Sequence, residues 1–556
     1  MSPDSLESPP DSTEGGVMGH VESEVAKVSR PRASLADRLC LHASESTTGT
    51  GSSQSPTEPV EGVVRSKLAC ARRAQTAWSR LGIRDRLRIL TALRHDIAKD
   101  PRSLAAVVDR ENLAETLAAE VLPLLDACRF LENEAAGILR ATKASKRSRP
   151  TWLWGTSVEL IPEPLGVVLV IGPSNYPLML PGIQVLQAVA AGNSVLVKPA
   201  TNCTLAMQTL IDLAESAGLP AGVIQILPEA PEAAAAAIRL GVDKVFLTGS
   251  ATSGQAVSHQ LAASTTPAVM ELSGCDAVFV LDDADPELVS DCLVFGLTMN
   301  RSQTCMAPRR VFATDVMTDR ILPLLQQKLD ARPNAQDRGP PSGGAPQQTL
   351  RFVAGRIQEA ILAGAQLLHG SLHPAGDQLE LSGVAILDRV TSDMSIARSD
   401  LFAPVLSFLR VADEEQALCE HAQCPLVLSA SVFGSPTRSQ QFARRIHAGC
   451  VTINDLIVPT ADPRVPFGGR GRSGHGMTRG AAGLLEMTQL KSVVSTRAWF
   501  KPHLQLPTPQ DADVLEQLIH LEHSASALHS LRIVPGLIRS VLSQLKFRKT
   551  SADGDT

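Results

Sequence analysis

The run Gly166-Val-Val-Leu-Val-Ile-Gly172 has neither a helical nor an alternating period, because its apolar residues stand in succession between two glycines. A strand with one wet face alternates, whereas a short unbroken run marks a parallel strand covered on both faces. Similar stretches recur at Ser194–Val197, Val223–Leu227 and Lys244–Leu247. Helical stretches at Pro181–Ala191 and Leu205–Ala217 separate them, and another helix follows Gly254. Strands alternating with helices predict an α/β fold with a parallel sheet and right-handed crossovers. Such sheets take ligands at the carboxyl ends of their strands. The alternation continues from about 273 to 479, with no internal repeat.

The flanks differ. Residues 63–150 read as helical: Lys67–Trp78, then Asp85–Ile97 with Leu87, Leu90, Leu93 and Ile97 at three- and four-residue spacings, then Ala114–Leu139. Residues 1–62 are rich in Ser, Pro, Glu, Thr and Gly, which predicts a disordered tail. A Pro/Gly-rich patch at 332–347 reads as a surface loop. The extension 501–556 holds two expected helices, near 511–529 and 536–548. On the second, Leu537, Val541 and Leu545 share a face, with Arg539, Lys546, Arg548 and Lys549 nearby. Such a helix packs on its own protein or a neighbouring subunit, or lies on a membrane surface; packing is the commoner use.

A chain of 556 residues, 44% hydrophobic, has room for two or three domains. Its net charge of −5 offers no electrostatic reason to bind nucleic acid. No apolar run approaches the roughly 18 residues needed to cross a bilayer. The opening MSPDSLESPPDSTEGG lacks the apolar core of a secretion signal. The expected location is the cytoplasm. The ten cysteines contain no Cys-x-x-Cys pair, so neither a disulfide scaffold nor a metal site is expected.

Taken singly, the motifs are ordinary. Gly249-Ser-x-x-x-Gly254 after a strand can cradle phosphates at a helix N-terminus, but also reads as a plain strand-to-helix turn. Cys305 alone reads as a buried thiol. Their order carries more: Gly172-Pro-Ser-Asn-Tyr-Pro177, Ala191-Gly-Asn-Ser-Val-Leu-Val-Lys-Pro199, Phe246-Leu-Thr-Gly-Ser250, Glu271-Leu-Ser-Gly274, Asn300-Arg-Ser-Gln-Thr-Cys305, Asp400-Leu-Phe-Ala-Pro404 and Pro466-Phe-Gly-Gly469 followed by Ser473-Gly474. From about residue 65 to 495 this series resembles the aldehyde dehydrogenase superfamily.

The resemblance implies a Rossmann-type cofactor domain (63–150 and 163–272), an α/β catalytic domain (273–480) and a small bridging sheet (151–162 and 486–500). In that family the bridging sheet pairs subunits into homo-dimers or homo-tetramers. The implied activity is hydrolytic oxidation of an aldehyde to a carboxylic acid with NAD or NADP, through a cysteine thiohemiacetal and thioester. Cys305 is the implied nucleophile, Asn175 the oxyanion donor and Glu271 the general base; thiolate, amide and partly desolvated carboxylate suit those tasks. Lys198 matches the lysine at the adenine-side ribose, Gly249, Ser250 and Gly254 the phosphate turn, and Asp400 and Phe402 the pair at the nicotinamide ribose and ring. Asn454 matches a position near the active site. Tyr176, Leu180, Ile183, Met299, Thr304, Met306 and Phe467 fall where an apolar substrate channel is expected, suited to a medium-sized aliphatic or aromatic aldehyde. Arg301 can pair with a substrate carboxylate or join a salt bridge within the fold.

The chain also departs from the pattern. Ser174 stands for a tryptophan in the cofactor cleft, Ser273 and Ser302 for glycines, Asp400 for a glutamate and Ala403 for a glycine. Thr201 stands where many members carry a glutamate against the ribose 2′-hydroxyl, so a 2′-phosphate meets no charge there. An acylating enzyme that passes the acyl group to coenzyme A would not need Glu271 as a base for water, and a non-catalytic homologue would not need Asn175, Glu271 and Cys305 together.

Overall fold

Three helices come first in the computed structural model, which describes residues 59–108, 110, 112–332, 347–497, 501, 504, 508–523 and 533–540. Helix α1 (Val60–Trp78) turns Val64, Leu68, Ala71 and Trp78 inward, and the Trp78 indole donates to the Val189 carbonyl at 3.0 Å. Helix α2 (Ile83–Lys99) buries Leu87, Leu90, Leu93 and Ile97, the stripe its spacing predicts. The run expected over Ala114–Leu139 is broken. A short turn at Leu113–Thr116 leads into one wide π turn at Leu117–Val121 before α3 (Leu122–Ile138). Pro123 has no N–H to bond back to residue 119, and the widened turn carries Glu120 fully inside.

The alternating segment follows as β1 (Thr156–Pro164), β2 (Val167–Ile171), α4 (Met179–Ala191), β3 (Ser194–Lys198), α5 (Thr204–Ser216), β4 (Ile224–Ile226), α6 (Pro231–Leu240), β5 (Lys244–Gly249), α7 (Ala251–Leu261) and β6 (Ala268–Leu272). Every residue of β2 is buried, as its unbroken apolar run requires. The alanine-rich α6 was not anticipated, although its composition favours a helix.

The second half contains β7 (Asp276–Val280), α8 (Pro286–Thr298), β8 (Pro308–Ala313), α9 (Asp315–Asp330), α10 (Gln347–Leu362), β9 (Gln366–Ala375), β10 (Gln378–Asp388), β11 (Val405–Arg410), β12 (Ser429–Phe433) and β13 (Cys450–Ile453). Their sheet runs β9-β10-β11-β8-β7-β12-β13, parallel except for the β9–β10 hairpin.

Strand β14 (Gly474–His475) crosses back and pairs antiparallel with β6, Gly474 opposite Glu271. The first sheet therefore runs β14-β6-β5-β2-β3-β4. A Cβ on Gly474 would lie 1.9 Å from the Met270 carbonyl oxygen, and its φ is +108°, so only glycine permits this pairing. Strand β15 (Thr488–Thr496) pairs along all of β1 and, with Thr142–Lys143, completes a three-stranded sheet. Helix α11 (Ala512–His523) touches the helical stretch 533–540 through Gln517 and Ser540. The tail read over 1–62, the loop at 332–347 and the basic helix near 536–548 lie largely outside the described residues. Among those residues no helix is long and apolar enough to cross a membrane.

Candidate active site

Helix α8 ends at Thr298, and the chain then runs through three successive non-glycine residues in the left-handed region: Asn300 (φ 45°), Arg301 (φ 53°) and Ser302 (φ 59°). Each such residue carries strain, on the order of 1–3 kcal/mol, and holds only where its surroundings over-determine it. They do so here. The Asn300 N–H donates to Glu115 Oε1 at 2.7 Å, and its side-chain amide donates to the Asn175 and Gln303 carbonyls at 3.0 and 3.2 Å. Arg309 is 2% exposed and donates to the Ser302 hydroxyl (2.7 Å), the Ser302 carbonyl (2.6 Å) and the Ala403 carbonyl. The loop delivers Cys305, whose Sγ donates to Glu271 Oε1 at 3.9 Å.

Glu271 is 2% exposed at the carboxyl end of β6, and Thr478 donates to its second oxygen at 3.1 Å. Burial pushes the carboxyl above the usual carboxylate range, opposed by Arg479, Thr478 and Cys305. Burial also lifts the Cys305 thiol well above its ordinary value, and the adjacent Glu271 carboxylate adds to this. One proton between two such groups suits a base that relieves a thiol as it attacks.

Asn175 approaches from the loop after β2, its Nδ2 donating to the Gln303 carbonyl at 3.0 Å; the amide's second N–H is left for another acceptor. The Asn175 carbonyl accepts from Arg110 at 2.6 Å, and Arg110 pairs with Glu120 at 2.8 Å. Glu120 accepts the Leu178 and Met179 N–H groups that open α4; burial pushes its carboxyl up to about 7, against the pull of Arg110.

A cleft of about 1050 Å³ opens beside this group. Ser174, Asn175, Leu180, Glu271 and Cys305 line one part, and Lys198, Thr201, Gly249, Ser250, Asp400 and Phe402 the rest. Lys198 is lowered by burial, and the nearby Glu229 carboxylate opposes the shift. Glu229 accepts the N–H groups of Asn202, Cys203 and Thr204 at 2.8–3.1 Å, closing the start of α5. Burial raises Asp400, and the neighbouring Ser273 hydroxyl and Arg309 pull it back. Two departures from the family pattern, Ser273 and Asp400, thus meet each other. Asn454 joins its own loop to Gly434, its amide and carbonyl oxygen paired with that residue's backbone.

Several expected residues do not line the cleft. Tyr176 is 4% exposed, with its hydroxyl 2.7 Å from that of Thr304 and Arg110 over its ring. Met299 packs against Tyr176 and Leu180, whereas Ile183, Met306 and Phe467 belong to core clusters. Gly254 sits inside α7, where a Cβ would fall 2.5 Å from Leu272, so the glycine lets helix and strand close together. Arg110, Glu115, Glu120, Asn300, Arg309, Thr478 and Arg479 were missed. Of these only Arg309 had a sequence signal, as the first of an arginine pair at the start of an apolar strand.

The cleft suits a dinucleotide. Gly249–Ser253 line it at the start of α7, where leading N–H groups lack partners within the helix and favour anions. A Cβ built on Gly249 would make ordinary van der Waals contact with Leu247 and Ser253, at 3.6 and 3.7 Å.

Residues 53–493 match the profile of the Aldehyde dehydrogenase family. A 4,4'-diapolycopene aldehyde oxidase of Methylomonas sp is 28% identical over 444 residues, 78% of this chain and 82% of that protein. A betaine aldehyde dehydrogenase of Cereibacter sphaeroides is 30% identical over 444 residues, 78% and 90% respectively. The fold superposes on an NADP-dependent glyceraldehyde-3-phosphate dehydrogenase from Bacillus halodurans C-125, complexed with NADP, with a TM-score of 0.71 and 28% identity, covering 79% of this chain and 92% of that one. The chain belongs to the aldehyde dehydrogenase family, enzymes that oxidise an aldehyde to its acid with NAD or NADP.

Proposed function

We propose that this chain oxidises an apolar aliphatic or aromatic aldehyde hydrolytically, with Cys305 as nucleophile, Glu271 as base and Asn175 as oxyanion donor. The observation that carries the reading is the 3.9 Å contact between Cys305 Sγ and Glu271 Oε1 in the wall of the cleft. Glu271 takes the thiol proton as sulfur bonds to the aldehyde carbon. The carbonyl oxygen takes the displaced electron pair and is met by the free Asn175 N–H and the Cys305 backbone N–H. A nicotinamide cofactor, when bound, would supply the acceptor for the hydride of that carbon, and the adduct on Cys305 then becomes a thioester. Glu271 releases the thiol proton to solvent and then takes a proton from water attacking the thioester; the C–S bond breaks, its electron pair returns to Sγ, which recovers the proton from Glu271, and the acid leaves. Lys198, Gly249, Ser250, Asp400 and Phe402 would hold the cofactor. Thr201 brings no carboxylate against a 2′-phosphate, so both forms are accepted.

A panel of aldehydes assayed with NAD or NADP, with and without coenzyme A, tests this. Free acid is the expected product, at a rate coenzyme A leaves unchanged and with both cofactors turned over. Acyl-coenzyme A formed only when coenzyme A is present would sink the hydrolytic reading.

The domain division 63–150 with 163–272, 273–480, and 151–162 with 486–500 belongs to the same proposal, as does a cytoplasmic location. We place the homo-oligomer contact on the β1–β15 sheet, where Leu490, Val493 and Val494 are exposed. Light scattering should give two or four chains per particle, falling to one when Val493 and Val494 become lysine; a wild-type monomer would refute the contact.

A further inference from the structure

Arg479 follows Thr478, the residue whose hydroxyl reaches Glu271, and is itself 7% exposed. Its guanidinium lies 4.6 Å from the centroid of the Phe467 ring, and Nη1 donates to the Thr460 carbonyl at 2.7 Å. The Thr460 hydroxyl in turn touches Met306 Sδ at 3.4 Å, and Met306 is the residue after Cys305. The guanidinium is thus tied on one side to the segment holding Glu271 and on the other to the segment holding Cys305. Its Nε is buried without a hydrogen-bond partner, and among the described residues no carboxylate sits at ion-pair distance from it.

A guanidinium does not give up its proton in a protein, and a buried charge without a counter-charge is costly. Thr478, the residue before Arg479, donates to the Glu271 carboxylate, and the charge of Arg479 favours the negative form of both Glu271 and Cys305. We propose that Arg479 is the counter-ion of the Glu271–Cys305 pair, a positioning residue that lets the pair carry one negative charge in the wall of the cleft. This rests on reading Cys305 as nucleophile and Glu271 as base.

Before attack the charge is on the Glu271 carboxylate and Cys305 is a thiol. As the S–C bond forms, the proton passes from Sγ to Oε1 and the charge moves to the oxygen of the adduct. Arg479 faces one negative charge throughout. Its positive charge opposes the burial of both groups. The other groups around the pair do not replace it. Asp276 on β7 pushes the thiol further up, and Arg309, a second buried guanidinium near Cys305, is drawn first to the Asp400 carboxylate. Thr478, Tyr176 and Cys450 carry no charge to offset it.

Two substitutions separate charge from shape. Arg479→Gln keeps much of the length and loses the charge; Arg479→Lys keeps the charge. The readout is alkylation of Cys305 by iodoacetamide without cofactor, followed against pH by peptide mapping. The midpoint in Arg479→Gln should move alkaline by about one pH unit or more, the usual effect of removing an opposite charge, and Arg479→Lys should restore it. A structural role alone lowers thermal stability and leaves the midpoint in place, which would overturn the proposal. A double-mutant cycle on thermal unfolding gives an independent measurement. Glu271→Gln should recover most of the stability lost in Arg479→Gln, and additive losses would overturn the proposal. Turnover surviving in Cys305→Ala would defeat the nucleophile reading and this proposal together; an unmoved midpoint with Cys305→Ala inactive defeats this proposal alone.

Discussion

Glu271→Gln is expected to turn steady oxidation into a single burst of reduced cofactor, close to one equivalent per site, followed by slow turnover. The amide matches the carboxylate in shape but takes no proton, so the general-base contribution, about 10²–10⁴-fold, is lost from thioester hydrolysis. Hydride transfer suffers less. The 3.9 Å separation means that Glu271 also relieves the thiol, so the burst itself slows without losing amplitude. An acyl adduct should be visible on Cys305 by intact-mass measurement and peptide mapping. The pH profile supplies a second check. Because burial raises the Glu271 carboxyl, the wild-type rate should rise with pH through an acid limb above the ordinary carboxylate range. That limb should vanish in Glu271→Gln. Full steady-state activity in the variant, or an adduct on another cysteine, would refute the assignment.

Cys305→Ala should abolish oxidation and leave cofactor binding within a few-fold of wild type, measured by fluorescence titration. No other thiol can take over, since attack needs the reacting atoms held about 3–3.5 Å apart. Cys275 and Cys424 are buried together in a separate apolar cluster, and Cys128 lies in the core beneath α2 and α3. Residual turnover above a few thousandths of wild type would mean that the chemistry does not pass through this sulfur. A parallel loss of cofactor binding would mean instead that the substitution had collapsed the loop.

The fold was legible wherever burial imposes a period. The unbroken apolar run at 167–171 became a strand covered on both faces, and the Leu87–Ile97 stripe became the inward face of α2. A pattern of that kind says nothing about where a helix widens. The π turn at Leu117–Val121 follows from Pro123 and from the inward pull on Glu120, and the second of these depends on Arg110. At the site, Cys305, Glu271 and Asn175 stood out through the order of short motifs. What holds them did not, because Arg309 and Arg479 act through backbone carbonyls, which residue types do not reveal, and join segments as distant as Ala403 from Arg309. Of the three left-handed residues in a row at Asn300–Ser302 only Asn300 is of a type that favours that region, so the run could not be read from the sequence. Tyr176, Met306 and Phe467 are buried side chains outside the cofactor cleft, and position along a chain does not say which way a side chain turns.

The antiparallel return of Gly474–His475 onto the strand of Glu271 also has a consequence in time. The carboxylate and the Thr478 hydroxyl that holds it are 207 residues apart in the chain. A ribosome adding roughly 5–20 residues per second needs about 10–40 s to cover that interval. Throughout it the growing chain already contains the base and then the nucleophile, but not the segment that borders the base strand, the threonine that fixes its oxygen or the arginine buried beside it. An emerging chain therefore carries the nucleophile for that interval with its base unset, and reaches competence only once Thr478 and Arg479 have been made.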